Sequence, residues 1–237
     1  MSIFLNRRKP ELVEWMDRPD CDRELLFNTY RQFRRINRLL SGWERIYKNR
    51  IKPVIQRLNG QADLLDIGCG GGDILRKLHH WCEKDGFDVT FTGIDPDPRS
   101  FEFLNSMNWP ENITFRQVDS SILVRDNVSF DIVISNHLMH HLKTEELLAV
   151  CSDASVLSRH LVIFSDIERS DIGYGLFSTI APLLFHNSYI VADGLISIQR
   201  SFQRKELQKT VPDPWFVERQ FPFRLLAIHQ KGEGHAV

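Results

Sequence analysis

Leu64-Leu65-Asp66-Ile67-Gly68-Cys69-Gly70-Gly71-Gly72-Asp73 is the stretch whose reading decides the fold. An apolar run ends near an acidic residue, a glycine-rich loop follows, and an amphipathic segment begins at Ile74, the pattern of strand, tight turn and helix N-terminus. Gly68, Gly70 and Gly72 let the backbone approach a ligand closely, and the helix start offers unpaired N–H groups. The turn therefore predicts a nucleotide-like ligand.

Downstream of this turn, short apolar strands alternate with helical stretches. Strands are expected at 64–67, 89–94, 113–118, 130–135 and 161–164, with helices at 73–82, 99–107 and 145–157. The strand at 130–135 is continuously apolar, as a strand buried on both faces should be. Such alternation specifies a parallel sheet covered by helices on both faces. After Asp166 it stops. A charge-free run from Ile172 to Ala192 approaches membrane-span length but holds Gly173, Gly175, Pro182, His186 and Asn187, which favours a buried or lid segment carrying Tyr174, Phe177, Phe185 and Tyr189. A short helix at 202–207 follows. The runs 215–219 and 224–229, separated only by Phe221-Pro222-Phe223, are too close for a helical crossover and predict an antiparallel pair at the sheet edge.

The expected architecture is α/β, a Rossmann-like, doubly wound, mostly parallel seven-stranded sheet with a C-terminal antiparallel strand. An N-terminal helical cap (1–60) precedes the core (61–237), which holds an apolar lid insert at about 169–200. In the cap, Leu26, Tyr30, Phe33, Ile36 or Asn37, and Leu40 recur at helical spacing, with Arg31, Arg34, Arg35 and Arg38 largely opposite. One reading is a solvated arginine face over packed apolar residues. The other is a cap that covers a substrate pocket or makes peripheral contact with an anionic membrane. Ser41-Gly42 ends this helix, and 43–56 forms a second with a kink or boundary at Pro53.

Hydrophobic residues at 42%, charged residues at 26% and a net charge of −1 describe an ordinary globular protein with no global attraction for nucleic acid. Cys21, Cys69, Cys82 and Cys151 form no CxxC pair, so neither a zinc knuckle nor a disulfide framework is indicated. No apolar core of signal-peptide length follows Arg7-Arg8-Lys9, and a reduced, cytoplasmic setting is expected.

Two ligand classes compete for the turn. A dinucleotide fingerprint would place its third glycine at position 73, where Asp73 would face a pyrophosphate. The spacing Asp66-x-Gly68-x-Gly70-x-Gly72 instead suits a cofactor without phosphate, and its negative charge favours a cation such as S-adenosylmethionine. The strand ends, where ligands of open parallel sheets bind, carry Asp66, Asp95, Asp119 and Asn136.

Taken in order, LLDIGCGGGD, TGIDPD, VDSS and FDIVISNHLMHHL resemble the motifs of class I S-adenosylmethionine-dependent methyltransferases. The resemblance implies that Gly68, Gly70 and Gly72 line the methionine and ribose side of the cofactor, and that Asp95, with Pro96 beside it, binds the ribose. Asp119 and the backbone around Ser120 would border the adenine, Asn136 would flank the reactive methyl, and Asp66 would hold the loop or a water near the amino group. Ser135-Asn136-His137-Leu138 lacks the N/D-P-P-Y/F pattern of base methylation, and no basic RNA-binding appendage is present, so nucleic acid is not expected as a partner.

The cap segment from Phe33 to Gly42 and the apolar insert more loosely resemble ubiquinone/menaquinone-type C-methyltransferases and enzymes that modify phenolic or polyketide-derived lipids. This implies methyl transfer to oxygen or an activated carbon of a hydrophobic small molecule that is aromatic, quinone-like or polyketide-derived. A histidine near the methyl suits removal of the acceptor's proton, and His140 or His141 is preferred to His137; a packing role is the competing reading. No metal site is expected, because the histidine run has no acid at ligand spacing and adjacent residues do not share a helix face. Within the insert, Asp193 and His186 are the polar groups of interest. Alternatives are a nicotinamide-dependent oxidoreductase, disfavoured by Asp73, and a non-catalytic relative of the fold, disfavoured by the intact loop. No oligomeric state is implied.

Overall fold

A computed structural model describes residues 4–39 and 41–231. Leu40 and the side chain of Arg38, both counted in the cap's pattern above, lie outside what is described.

The strands are β1 (Gln61–Ile67), β2 (Asp88–Ile94), β3 (Ile113–Arg116), β4 (Phe130–Asn136), β5 (Ser158–Ile167), β6 (Phe216–Gln220) and β7 (Arg224–Gln230). They form one seven-stranded sheet in the order β3-β2-β1-β4-β5-β7-β6. All β1 to β5 pairings are parallel, and β7 alone runs the other way, between β5 and β6. The chain winds outward from β1 to β3, returns, and winds out again from β4, so the strand order reverses between β1 and β4. A doubly wound sheet places its ligand crevice at that reversal.

The central strands are buried on both faces, which explains their unbroken apolar runs. Alternate residues feed two layers: Leu64, Ile132 and Ile134 enter one cluster, Leu65 and Val133 the other. The first layer also takes Ile74, Leu75 and Leu78 of α4, which follows the glycine loop, and Trp43, Ile46, Tyr47 and Ile51 of the cap. This cap segment is α2 (Trp43–Ile46), a π-helical turn (Tyr47–Ile51) and α3 (Lys52–Arg57), with Pro53 in the first turn of α3. Pro53 lacks the N–H that a continuous helix would use, and the wide turn just before it absorbs the defect.

Around the sheet lie α4 (Asp73–Lys84), α5 (Pro98–Asn105), α6 (Ser120–Arg125) and α7 (Thr144–Leu157). The sequence reading has no α6. With six residues it is too short to show a period, and its start is set by Asp119, whose side chain accepts from the N–H groups of Ser121 and Ile122. Backbone pairing also ends β3 two residues earlier than expected and extends β5 at both ends.

The first cap helix, α1 (Arg23–Leu39), packs against α4 on one side and the insert on the other. The insert is a pair of helices, α8 (Asp171–Leu184) and α9 (Ile190–Arg200), followed by α10 (Arg204–Thr210). Phe33 and Ile36 of α1 pack with Ala181, Phe185 and Ile190 beneath the insert. On the outside, α8 exposes Ile172, Leu176, Ile180 and Leu183, and α1 exposes Arg31, Arg34 and Arg35. Among the described residues no helix is long and apolar enough to cross a membrane.

Candidate active site

At the strand-order reversal, the loop after β1 faces the tip of β4. The loop turns through left-handed glycines at Gly68 (φ 71°), Gly70 (φ 49°) and Gly72 (φ 70°). At Gly72 an added Cβ would stand 2.7 Å from the Trp109 ring, so both the backbone and the packing demand glycine. Gly68 and Cys69 donate their N–H groups to the Ile94 carbonyl at 2.8 and 3.0 Å. Gly70 N–H donates to Asp95 Oδ2 at 2.9 Å, and Asp97 N–H donates to Oδ1 at 2.9 Å. These bonds clamp the loop to the tip of β2.

A cavity of about 420 Å³ opens over this loop and continues beneath α1 and the insert, a size suited to small molecules. Of the residues predicted to bind cofactor, Asp66, Gly68, Gly70, Asp95, Pro96 and Asn136 line it. Gly72 does not; it packs against Trp109, Leu104 and Phe115 while its neighbour Gly71 faces the cavity. Asp119 and Ser120 are also outside the lining: Asp119 caps α6, and Ser120 Oγ donates to Asp153 at 2.6 Å.

The loop end of the cavity is acidic and short of donors. Asp66 is buried and its Oδ1 has no hydrogen-bond partner. Burial pushes its carboxyl well above the usual carboxylate range, and the charges of Asp73 and Asp95 push it further. Burial also raises Asp73, against the pull of Lys77 and of Asn37, whose Nδ2 donates to Asp73 at 3.0 Å. Asp95 is raised by burial in the same way, partly offset by its two backbone donors. A cationic ligand relieves all three.

The other end is assembled from distant parts of the chain. The segment before α1 runs under α9, where Trp15 and Met16 donate their N–H groups to the Asp193 carboxylate at 2.7 and 3.0 Å. Burial lifts Asp193 to about 6 despite these donors. Glu14 is buried beside the turn Met139–His141 and accepts from Ser197 Oγ at 2.9 Å. His140 Nδ1 bonds Asp166 at 2.7 Å, and its Nε2 lies 3.2 Å from Glu14 Oε1, outside hydrogen-bond geometry. Burial disfavours a charged ring there, but Asp166 and Glu14 outweigh it and lift His140 to about 9. His141 Nδ1 bonds Asp17 at 3.0 Å. His137 differs: its Nε2 accepts from Arg224 at 3.0 Å, its ring stacks on Phe33, and burial together with Arg224 holds it well below the usual histidine range.

Thus His140, His141, Asn136 and Asp193 meet in one cavity, with Phe33, Phe177 and Ile190 as apolar walls. His186 stays outside it, offering its backbone carbonyl to Gln32 at 2.8 Å. Glu14, Asp17 and Arg200 also line the cavity and carried no signal in the sequence reading, and Tyr30 of the cap's helical pattern joins them. Glu14 and Asp17 lie in a stretch without periodicity, and only long-range packing brings them to the histidines.

Residues 64–159 match the family described as "Methyltransferase domain". Over those residues the chain is similar to a methyltransferase domain. The methyl donor of this domain is S-adenosylmethionine. No curated protein matches the chain by sequence. In fold the chain is similar to the plantazolicin methyltransferase BpumL in complex with a pentazolic desmethylPZN analog and SAH. That likeness has 13% identity and a TM-score of 0.60, over 92% of this chain and 93% of that one. BpumL in complex with SAH gives 14% identity over 89% and 95% of the two chains, with a TM-score of 0.54. The methyltransferase domain of bacterial CtHen1-CN gives 19% identity over 76% and 95%, with a TM-score of 0.50. At these identities the likeness is one of fold.

The residues present fit the donor. Its ammonium and sulfonium charges suit a loop end where burial raises three carboxyls and one carboxylate oxygen is orphaned. An uncompensated buried ion costs several kcal/mol, so a cation binds there with favourable electrostatics. The glycine backbone leaves no Cβ between loop and ligand.

Proposed function

We propose that this methyltransferase acts on oxygen or an activated carbon of a hydrophobic small molecule bound between α1 and the insert. The supporting observation is the continuity of one cavity, from the acidic glycine loop to a chamber walled by Phe33, Ile36, Phe177 and Ile190 and floored by histidines. The fold relative BpumL holds a desmethylPZN analog together with SAH, which supports a small-molecule acceptor. When bound, S-adenosylmethionine supplies an electrophilic methyl group.

The protein's own residues divide the remaining work. Asp95 keeps lone pairs beyond its two backbone donors for the ribose hydroxyls, and Asp66 and the loop hold the amino-acid end. Gly68 and Gly70 shape the loop, with Pro96 and Asn136 beside it. The proposal keeps Asp119 and Ser120 near the adenine as shapers of the α6 start, since their side chains are engaged elsewhere. At the far end the apolar walls orient the acceptor, which is the main demand of an in-line displacement. His140 and His141 stand where the acceptor's proton must leave.

Incubation with methyl-labelled S-adenosylmethionine and a panel of phenols, quinols and polyketide-like compounds tests the reading. Label should pass into the organic extract with an apolar acceptor. Transfer only to polar or macromolecular acceptors would overturn the acceptor class and leave the methyltransferase domain standing. The exposed apolar side of α8 and the exposed arginines of α1 support a further part of the proposal, peripheral contact with anionic lipid, from which an apolar acceptor could be drawn.

A further inference from the structure

Both histidines of the Met139–His141 turn are anchored through Nδ1 by a carboxylate, His140 by Asp166 and His141 by Asp17. That leaves both Nε2 atoms directed toward one residue, Glu14: His140 Nε2 is 3.2 Å from Oε1 and His141 Nε2 is 3.9 Å from Oε2. The three side chains can each offer one ligand atom with all of these atoms within 4.8 Å of one another. In a tetrahedral site with ligand distances of about 2.0–2.2 Å, adjacent donor atoms stand about 3.3–3.6 Å apart. His140 Nε2 stands close to that separation from Oε1, and His141 Nε2 lies nearer the second oxygen, Oε2.

We infer that Glu14, His140 and His141 form a binding site for a divalent transition-metal cation such as Zn²⁺, with its open position toward the acceptor chamber.

Three observations carry this. His140 Nε2 is buried and makes no hydrogen bond, although Glu14 Oε1 lies 3.2 Å from it. Each ligand is also backed by a second residue: Asp166 and Asp17 fix the histidine rings, and Ser197 Oγ donates to Glu14. Carboxylates behind metal-binding imidazoles set the tautomer that presents Nε2, and this support is characteristic of metal sites. Finally, the turn is held from behind by two arginines. Arg8 donates to the carbonyls of His140 and Leu142, and Arg200 to those of His140 and His141. Arg200 Nη1 also pairs with Asp17 at 3.6 Å. A neighbouring trio, His137, His140 and Asp166, is the weaker candidate, because Arg224 occupies His137 Nε2 and brings a cation to it.

Two nitrogens and one carboxylate suit Zn²⁺ or another first-row divalent ion, and the small number of protein ligands leaves room for a water or an acceptor oxygen. Such an ion would lower the pKa of a bound hydroxyl and so replace a side-chain base at this position. The sequence expectation of no metal considered the histidine run alone, whereas the carboxylate arrives from the segment before α1.

The inference places the ion at the acceptor end of the site proposed above, yet its test needs neither cofactor nor acceptor. Full-length protein stripped of metal with a chelator is titrated with Zn²⁺ alone and, separately, with Co²⁺. One ion per chain should bind, and Co²⁺ should give the visible absorption of a low-coordinate N/O site. His141→Ala and Glu14→Gln should each weaken binding by at least about tenfold, and Asp17→Asn by about tenfold through loss of ring anchoring. His141 is partly exposed, so its variant guards against a folding failure, with circular dichroism as the check. Absence of stoichiometric binding to the wild-type chain, or affinity unchanged in both ligand variants, would overturn the inference. Either result would leave methyl transfer untouched, just as failure to find an acceptor would leave a metal titration unchanged.

Discussion

At the loop end of the cavity Asp66 is buried with an orphaned oxygen, and burial raises Asp73 and Asp95 despite their donors, whereas at the acceptor end every carboxylate named above has a donor. Glu14 takes Ser197, Asp17 takes His141, Asp166 takes His140, and Asp193 takes two backbone N–H groups. The first arrangement stores unfavourable electrostatics that a cationic cofactor releases on binding. In the second, each of these carboxylates has its donor before any acceptor arrives. Substitutions at the two ends should therefore separate cofactor affinity from turnover.

The largest effect is expected from His140→Ala. Loss of the ring that Asp166 and Glu14 hold at the floor of the acceptor chamber should lower kcat by about 10²-fold or more, while the Kd for S-adenosylmethionine stays within about twofold. Equal losses in both would erase the distinction between the ends. Gly72→Val should destabilise the fold by about 2–4 kcal/mol, because a branched residue is strained at φ 70° and its Cβ would meet the Trp109 ring 2.7 Å away. Denaturant unfolding measures this, and near-wild-type stability would show that the loop can relax. Asp95→Ala should weaken cofactor binding by about 1.5 kcal/mol or more, roughly tenfold, with little change in kcat at saturating cofactor.

Asp66→Asn gives a smaller effect with a definite sign. The folded-state carboxyl is raised above its unfolded value, so its stabilising contribution is complete below the ordinary carboxylate range and is lost as pH rises through the raised value. The cofactor-free variant should therefore be more stable than wild type at neutral pH, and this advantage should vanish in acid. Cofactor binding should move oppositely: wild-type affinity should rise with pH as Asp66 ionises, and the variant's profile should be flatter. The smallest effect concerns the surface. Co-sedimentation with anionic vesicles at low salt should fall when Leu176 and Leu183 are both replaced by Asp, and equal sedimentation would remove α8 from any lipid contact.

The same contrast decides what was legible in the sequence. Asp66, Gly68, Gly70 and Asp95 belong to a strand, turn and helix that are local in the chain, so their residue types and spacing carry the fold and the cofactor end together. The alternation of strands and helices extends that reading to the whole sheet, including the reversed β7. Asp119 shows the limit of motif reasoning: β3 ends at Arg116, and the Asp119 side chain serves the cap of a helix too short to leave a period. Glu14 and Asp17 show a different limit. Nothing around them has helical or strand spacing, and their meeting with His140 and His141 depends on how α9 and the N-terminal segment pack.

The division of labour between the two ends requires the loop end to bind a cation-bearing cofactor. Calorimetric titration of the cofactor-free protein with S-adenosylmethionine tests this directly. One site per chain with affinity in the micromolar range, about −8 kcal/mol, is the predicted result. Absence of binding at millimolar cofactor, with the protein shown to be folded, would contradict it.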